Sequence, residues 1–125
     1  MKILIIDDEP LVVIEEIKQL CDAKNIEVII FEPTSFEKKE LYSQLKSLCY
    51  TKKFDLALLD YKLWFGGEFL GEELIPILKQ TETPFVGFSN IPQFNQILVN
   101  KGARTAILKN KTGFEIFNNV LDILS

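Results

Sequence analysis

The chain has 125 residues, room for one domain and not two, with 47% hydrophobic residues to supply a core. Its formal net charge is −4, which argues against a nucleic-acid-binding surface. It contains no histidine, so the commonest metal ligand, the commonest general base near neutral pH and any role as a histidine phosphodonor are excluded together.

In chain order, residues 3–6 (Ile-Leu-Ile-Ile) form a short apolar run that ends in Asp7, Asp8 and Glu9. The run is too short and too quickly acidic for a signal peptide. Leu11, Ile14, Ile17, Leu20 and Cys21 recur at spacings of three or four and predict a helix. A second apolar run covers residues 28–31. Ser35 then precedes a helical segment as its cap, with Lys38 at the box position and a stripe of Leu41, Leu45 and Leu48. Residues 56–59 form a third run, ending in Asp60. The segment from Trp64 to Phe69 reads as a loop, made flexible by Gly66 and Gly67. Residues 71–79 are helical despite Pro76, which is tolerable only near a helix start. The fourth run, residues 85–88, ends in Ser89 and Asn90. Asn90 is the cap of a helix with Pro92 in its first turn and a stripe of Phe94, Ile97 and Leu98. The fifth run, residues 106–108, ends in Lys109, and a last helix starts near Gly113 and carries Ile116, Phe117, Val120, Leu121 and Leu124.

The five runs are continuously apolar rather than alternating, as suits strands covered on both faces of a parallel sheet. The alternation of strand and helix predicts an α/β fold with five parallel strands and right-handed crossovers. No apolar run approaches the roughly 20 residues that span a membrane. Cys21 and Cys49 stand apart with no CxxC partner and read as free thiols. We read residues 1–125 as one soluble, cytoplasmic domain without a membrane segment.

Polar residues end four of the five runs. In open α/β sheets, ligands bind outside the carboxyl ends of the strands, where strand order reverses. With the order 2-1-3-4-5, Asp7, Asp8 and Asp60 converge at that point. Three clustered carboxylates repel one another unless a cation is present. The all-oxygen donor set suits Mg²⁺. Lys109 supplies a point charge for an anion and Ser89 a hydroxyl donor. Together these groups describe a phosphoryl-transfer site, in which a carboxylate attacks phosphorus and cations stabilise the equatorial oxygens.

The segments Ile5 to Pro10, Asp55 to Leu63, Pro84 to Ser89, and Gly102-Ala103 leading to Ile107-Leu108-Lys109 stand in the order and near the spacing of one known family. The chain resembles the receiver domain of bacterial two-component response regulators over essentially its whole length. That resemblance implies a flavodoxin-like (βα)5 fold. It makes Asp60 the phosphoacceptor, Asp8 a direct Mg²⁺ ligand and Asp7 a ligand through water. Lys62 would offer its backbone carbonyl to the metal, Ser89 would bond a phosphoryl oxygen and Lys109 would neutralise the phosphoryl group. It implies a signalling domain rather than an enzyme, phosphorylated by a sensor histidine kinase or a histidine phosphotransfer protein. Its output would be a downstream protein partner or an output domain outside this chain, with no direct nucleic-acid binding. Two positions depart from the family. Ala106 stands where an aromatic is usual, and Asn110 where proline follows the lysine. These departures support an alternative: a receiver-like interaction module that works independently of phosphorylation. A hydrolase acting through an aspartyl phosphate fits less well, because Asp60 is followed by Tyr61 and Lys62 rather than by a second aspartate two residues on.

Overall fold

The computed structural model describes residues 1–8, 12–65 and 67–125. Glu9, Pro10, Leu11 and Gly66, used above in the first acidic turn, the first helical stripe and the central loop, lie outside the described residues. Five strands form one sheet: β1 (Lys2–Ile6), β2 (Glu27–Ile30), β3 (Leu56–Leu59), β6 (Phe85–Ser89) and β7 (Ala106–Leu108). Their order is β2-β1-β3-β6-β7, and every neighbouring pair is parallel. This is the expected order of the five runs and a flavodoxin-like sheet. Between β3 and β6 lies an antiparallel hairpin, β4 (Lys62–Trp64) with β5 (Glu68–Leu70).

Alternation along the central strands builds a core on each side of the sheet. Leu4, Ile6, Ala57 and Leu59 face one way. They pack against Leu41, Leu45 and Cys49 of α2 (Lys38–Lys52), Ile75 and Leu78 of α3 (Ile75–Gln80), and Leu98 of α4 (Pro92–Asn100). Ile3, Ile5, Leu56, Leu58, Val86 and Phe88 face the other way. They meet Ile14, Ile17 and Cys21 of α1 (Val12–Asp22) and Ile116, Phe117 and Val120 of α5 (Gly113–Leu124). Each fully buried aliphatic chain of this kind contributes about 1.5–3 kcal/mol relative to exposure. Both cysteines are buried free thiols. No described helix is long and apolar enough to cross a membrane.

Four local expectations are corrected. Ser35 does not cap α2: the helix starts at Lys38 after Glu37, and Ser35 Oγ accepts from the Glu37 N–H in a preceding turn. Asn90 does not cap α4, which follows Ile91. The segment 71–79 is a 3-10 turn (Gly71–Leu74) followed by α3, so Pro76 falls in the first turn of a new helix, where its missing N–H has no partner to lose. The central loop is the β4–β5 hairpin. It packs down because Leu63, Phe65 and Phe69 are buried in the α2–α4 core. Phe65 meets Phe31 and Phe69 edge-on, with ring centroids 6.0 and 6.2 Å apart.

Candidate metal centre

β1 and β3 are neighbours, and Ile6 is level with Leu59. The Asp60 N–H donates to the Ile6 carbonyl at 3.0 Å. Asp7 and Asp60, each one residue past its strand, are therefore brought side by side. Asp7, Asp8 and Asp60 each place a carboxylate oxygen within 4.8 Å of the others. Lys109, one residue past β7, reaches across to both buried acids. Its Nζ lies 2.7 Å from Asp7 Oδ2 and 2.9 Å from Asp60 Oδ2. Asp7, Asp60 and Lys109 are 4%, 5% and 9% exposed.

Each carboxylate is oriented differently. Asp60 Oδ1 accepts from the Tyr61 N–H at 2.8 Å. Asp8 Oδ2 accepts from the Trp64 N–H at 2.6 Å. Asp8 Oδ1 is buried with no hydrogen-bond partner among the described residues. Burial, with a smaller push from the Asp7 charge, outweighs the charge and hydrogen bond of Lys109 and the hydrogen bond from the Tyr61 N–H, and the Asp60 carboxyl is left pushed up to about 6. Burial works against the Lys109 ammonium, but the hydrogen bonds and charges of Asp7 and Asp60 outweigh it and leave its pKa raised.

Among the described residues, three carboxylates against one ammonium leave an excess of two negative charges in a largely buried cluster. A buried carboxylate oxygen without a donor completes a set of hard oxygen ligands. These residues fit a divalent hard cation such as Mg²⁺.

Ser89 ends β6 and is 3% exposed. Its Oγ accepts from the Ile91 N–H at 3.1 Å. With Asp60, Lys62, Phe94, Lys109 and Asn110 it lines a cavity of about 580 Å³ beside the acids. Lys62 begins β4; its ammonium lies 5.5 Å from the centre of the Phe94 ring, which also stacks on Tyr61 at 4.6 Å. The structure thus joins Asp7, Asp60 and Lys109 by direct contacts, brings Asp8 within 4.8 Å of the two acids and sets Ser89 and Lys62 around the adjoining cavity.

Three contributors were not anticipated. Asn95, on the inner face of α4, is 5% exposed. Its Oδ1 accepts from the Ser89 N–H at 3.1 Å, and its Nδ2 donates to the Ser89 carbonyl at 3.0 Å and the Ile107 carbonyl at 3.4 Å. It fastens the end of β6 to α4 and β7. Its signal was a polar residue three positions before buried Leu98, on the stripe that should be apolar. Gly71 abuts the end of β3: a Cβ there would clash with the Asp60 carbonyl oxygen. Trp64 contributes through its backbone N–H, which no side-chain pattern announces.

Neither a protein-family model nor a curated protein sequence matches the chain. Solved structures do. The BeF3-activated N-terminal receiver domain of Klebsiella pneumoniae RstA is 24% identical, with 99% of this chain and 98% of that one covered and a TM-score of 0.73. A two-component response regulator from Clostridium difficile is 23% identical over 99% of this chain and 94% of its own, with a TM-score of 0.72. The non-phosphorylated HemR receiver domain of Leptospira biflexa is 21% identical over 99% and 94%, with a TM-score of 0.74. Sheet order, covered length and these neighbours agree: the chain has the fold of the response-regulator receiver domains.

Proposed function

We propose that this chain is a receiver of two-component signalling, a single unit that accepts a phosphoryl group on Asp60 and changes its partner binding in response. The observation that carries this reading is the arrangement around Asp60. A buried carboxylate at the end of the central strand is paired with Lys109 and stands within 4.8 Å of two further carboxylates.

In the reaction, an Asp60 oxygen attacks phosphorus of a phosphohistidine on a kinase or phosphotransfer protein. The O–P bond forms as the P–N bond breaks, and the imidazole nitrogen leaves with the bonding pair and is protonated by water. Mg²⁺, held by Asp7, Asp8, Asp60 and the Lys62 carbonyl, would supply charge neutralisation for the transferring oxygens. Lys109 is anchored on Asp7 as well as Asp60, so its ammonium would stay beside the new phosphoryl group when Asp60 becomes an acyl phosphate. Ser89 Oγ accepts from the Ile91 N–H, and in this reading its O–H would donate to a phosphoryl oxygen and couple the phosphoryl group to the start of α4.

Incubation with acetyl phosphate and Mg²⁺, followed by intact-mass measurement, tests the reading. The wild type should gain one phosphoryl group, and neither Asp60→Asn nor an EDTA-treated sample should do so. Equal gain by Asp60→Asn would refute the assigned acceptor. Ala106, half-buried opposite Gly87 in the β6–β7 ladder, favours a second reading, an interaction module indifferent to phosphorylation. Partner binding unchanged by a beryllofluoride-loaded site would select it.

A further inference from the structure

The β4–β5 hairpin has a register that determines which of its backbone groups face the acids. Lys62 stands opposite Leu70, Leu63 opposite Phe69 and Trp64 opposite Glu68. Just beyond the ladder, the Gly71 N–H donates to the Tyr61 carbonyl. Bonded and non-bonded pairs alternate along an antiparallel ladder. The Tyr61–Gly71 bond therefore assigns Leu63–Phe69 to the bonded set. It turns the N–H and carbonyl of both Lys62 and Trp64 away from β5, onto the outer edge of β4. On that edge the Trp64 N–H meets Asp8 Oδ2 at 2.6 Å.

We infer that the outer edge of β4 is a positioning wall of the metal centre, with Trp64 acting through its backbone. The inference rests on the metal site proposed above. The Trp64 N–H occupies Asp8 Oδ2 and orients the carboxylate, so that Oδ1, which has no partner among the described residues, is the oxygen left for a cation. Outer-shell donors of this kind set ligand orientation and thereby affinity. The Lys62 carbonyl shares the same edge two residues earlier, so one strand orients one ligand and presents another. The hairpin is itself pinned to the body: Glu73 accepts from the Leu70 N–H at 2.9 Å and from Lys38 at 2.7 Å, and the Tyr61 hydroxyl donates to Glu72 at 2.8 Å. The Trp64 indole, 68% exposed, takes little part in this, so the role belongs to the main chain.

The register supplies a clean substitution. Trp64 lies at a non-bonded pair, so Trp64→Pro removes the N–H to Asp8 without removing a ladder bond. Trp64→Phe keeps the N–H. Mn²⁺ binding to the metal-free protein, followed by the loss of the free-ion EPR signal, is the measurement. Thermal melts of the metal-free variants serve as the folding control. Trp64→Phe should bind within about twofold of wild type, and Trp64→Pro about 10–100-fold more weakly. Equal affinity of folded Trp64→Pro and wild type would overturn the positioning role while leaving the metal site standing. Failure of the wild type itself to bind Mn²⁺ would overturn the metal reading, and the wall with it. Should Trp64→Pro fail to fold, amide exchange decides. The Trp64 amide should be protected in the wild type and exchange faster in Asp8→Ala; an unprotected Trp64 amide in the wild type would overturn the proposal.

Discussion

On the sheet side of the acid cluster, Asp7, Asp60 and Lys109 sit one residue past three parallel strands and are 4%, 5% and 9% exposed. On the hairpin side, Asp8 is half-buried and is held by a backbone N–H of a three-residue strand. The sheet side is fixed by long-range register and buried charge pairing. The hairpin side is fixed by one short ladder and the aromatic anchors beneath it. If the cluster holds a metal as proposed, one half of the site should fail by unfolding and the other by misplacing a ligand.

Substitution should separate the two. Lys109→Ala leaves Asp7 and Asp60 buried beside each other without their cation. It should cost about 3–5 kcal/mol in chemical denaturation, the largest effect expected here. Gly71→Ala puts a Cβ against the Asp60 carbonyl, a backbone group that cannot swing aside, and should cost about 3 kcal/mol. It should also reduce phosphorylation, because the strain falls on Asp60 itself; a Gly71→Ala protein with wild-type denaturation midpoint would break the link between hairpin exit and acceptor. Asn95→Ala removes three hydrogen bonds that tie Ser89 to α4 and β7 and should cost about 2 kcal/mol. Its deficit should appear in partner switching more than in phosphoryl gain, which phosphorylation and binding assays on the same sample would compare.

The smallest effect concerns the core away from the site. Burial first, and then the Asp22 charge, push the Cys21 thiol from 9.0 up to about 11. The neutral thiol is the form favoured by folding. Its contribution is therefore complete below pH 9 and is lost as pH rises toward 11, where the unfolded chain ionises first. Iodoacetamide at pH 8 should leave Cys21 unmodified in the folded protein and modify it in denaturant.

The sheet side was legible in the sequence because continuous apolar runs ending in polar residues carry a strand's identity, its burial and its carboxyl end together. Asp7, Asp60, Ser89 and Lys109 follow from that pattern once strand order is known. The hairpin was not legible. Lys62, Leu63 and Trp64 alternate over only three residues, too short for a period to register, and the two glycines read as a loop. Its anchors, Phe65 and Phe69, looked like loop aromatics because the core they fill is made by residues distant in the chain, such as Phe31 and Tyr42. The helix starts at Ser35 and Asn90 failed for a related reason. Both residues have capping chemistry, but α2 begins only after Glu37, and Ser89, not Asn90, bonds the N–H at the head of α4.

The central claim is that Asp60 is the group that takes the phosphoryl. Borohydride converts an aspartyl phosphate to homoserine, which a peptide map locates. After treatment with acetyl phosphate and Mg²⁺, homoserine should appear at position 60 and at no other acid; homoserine at Asp7 or Asp8, with position 60 unchanged, would show that Asp60 is not the acceptor.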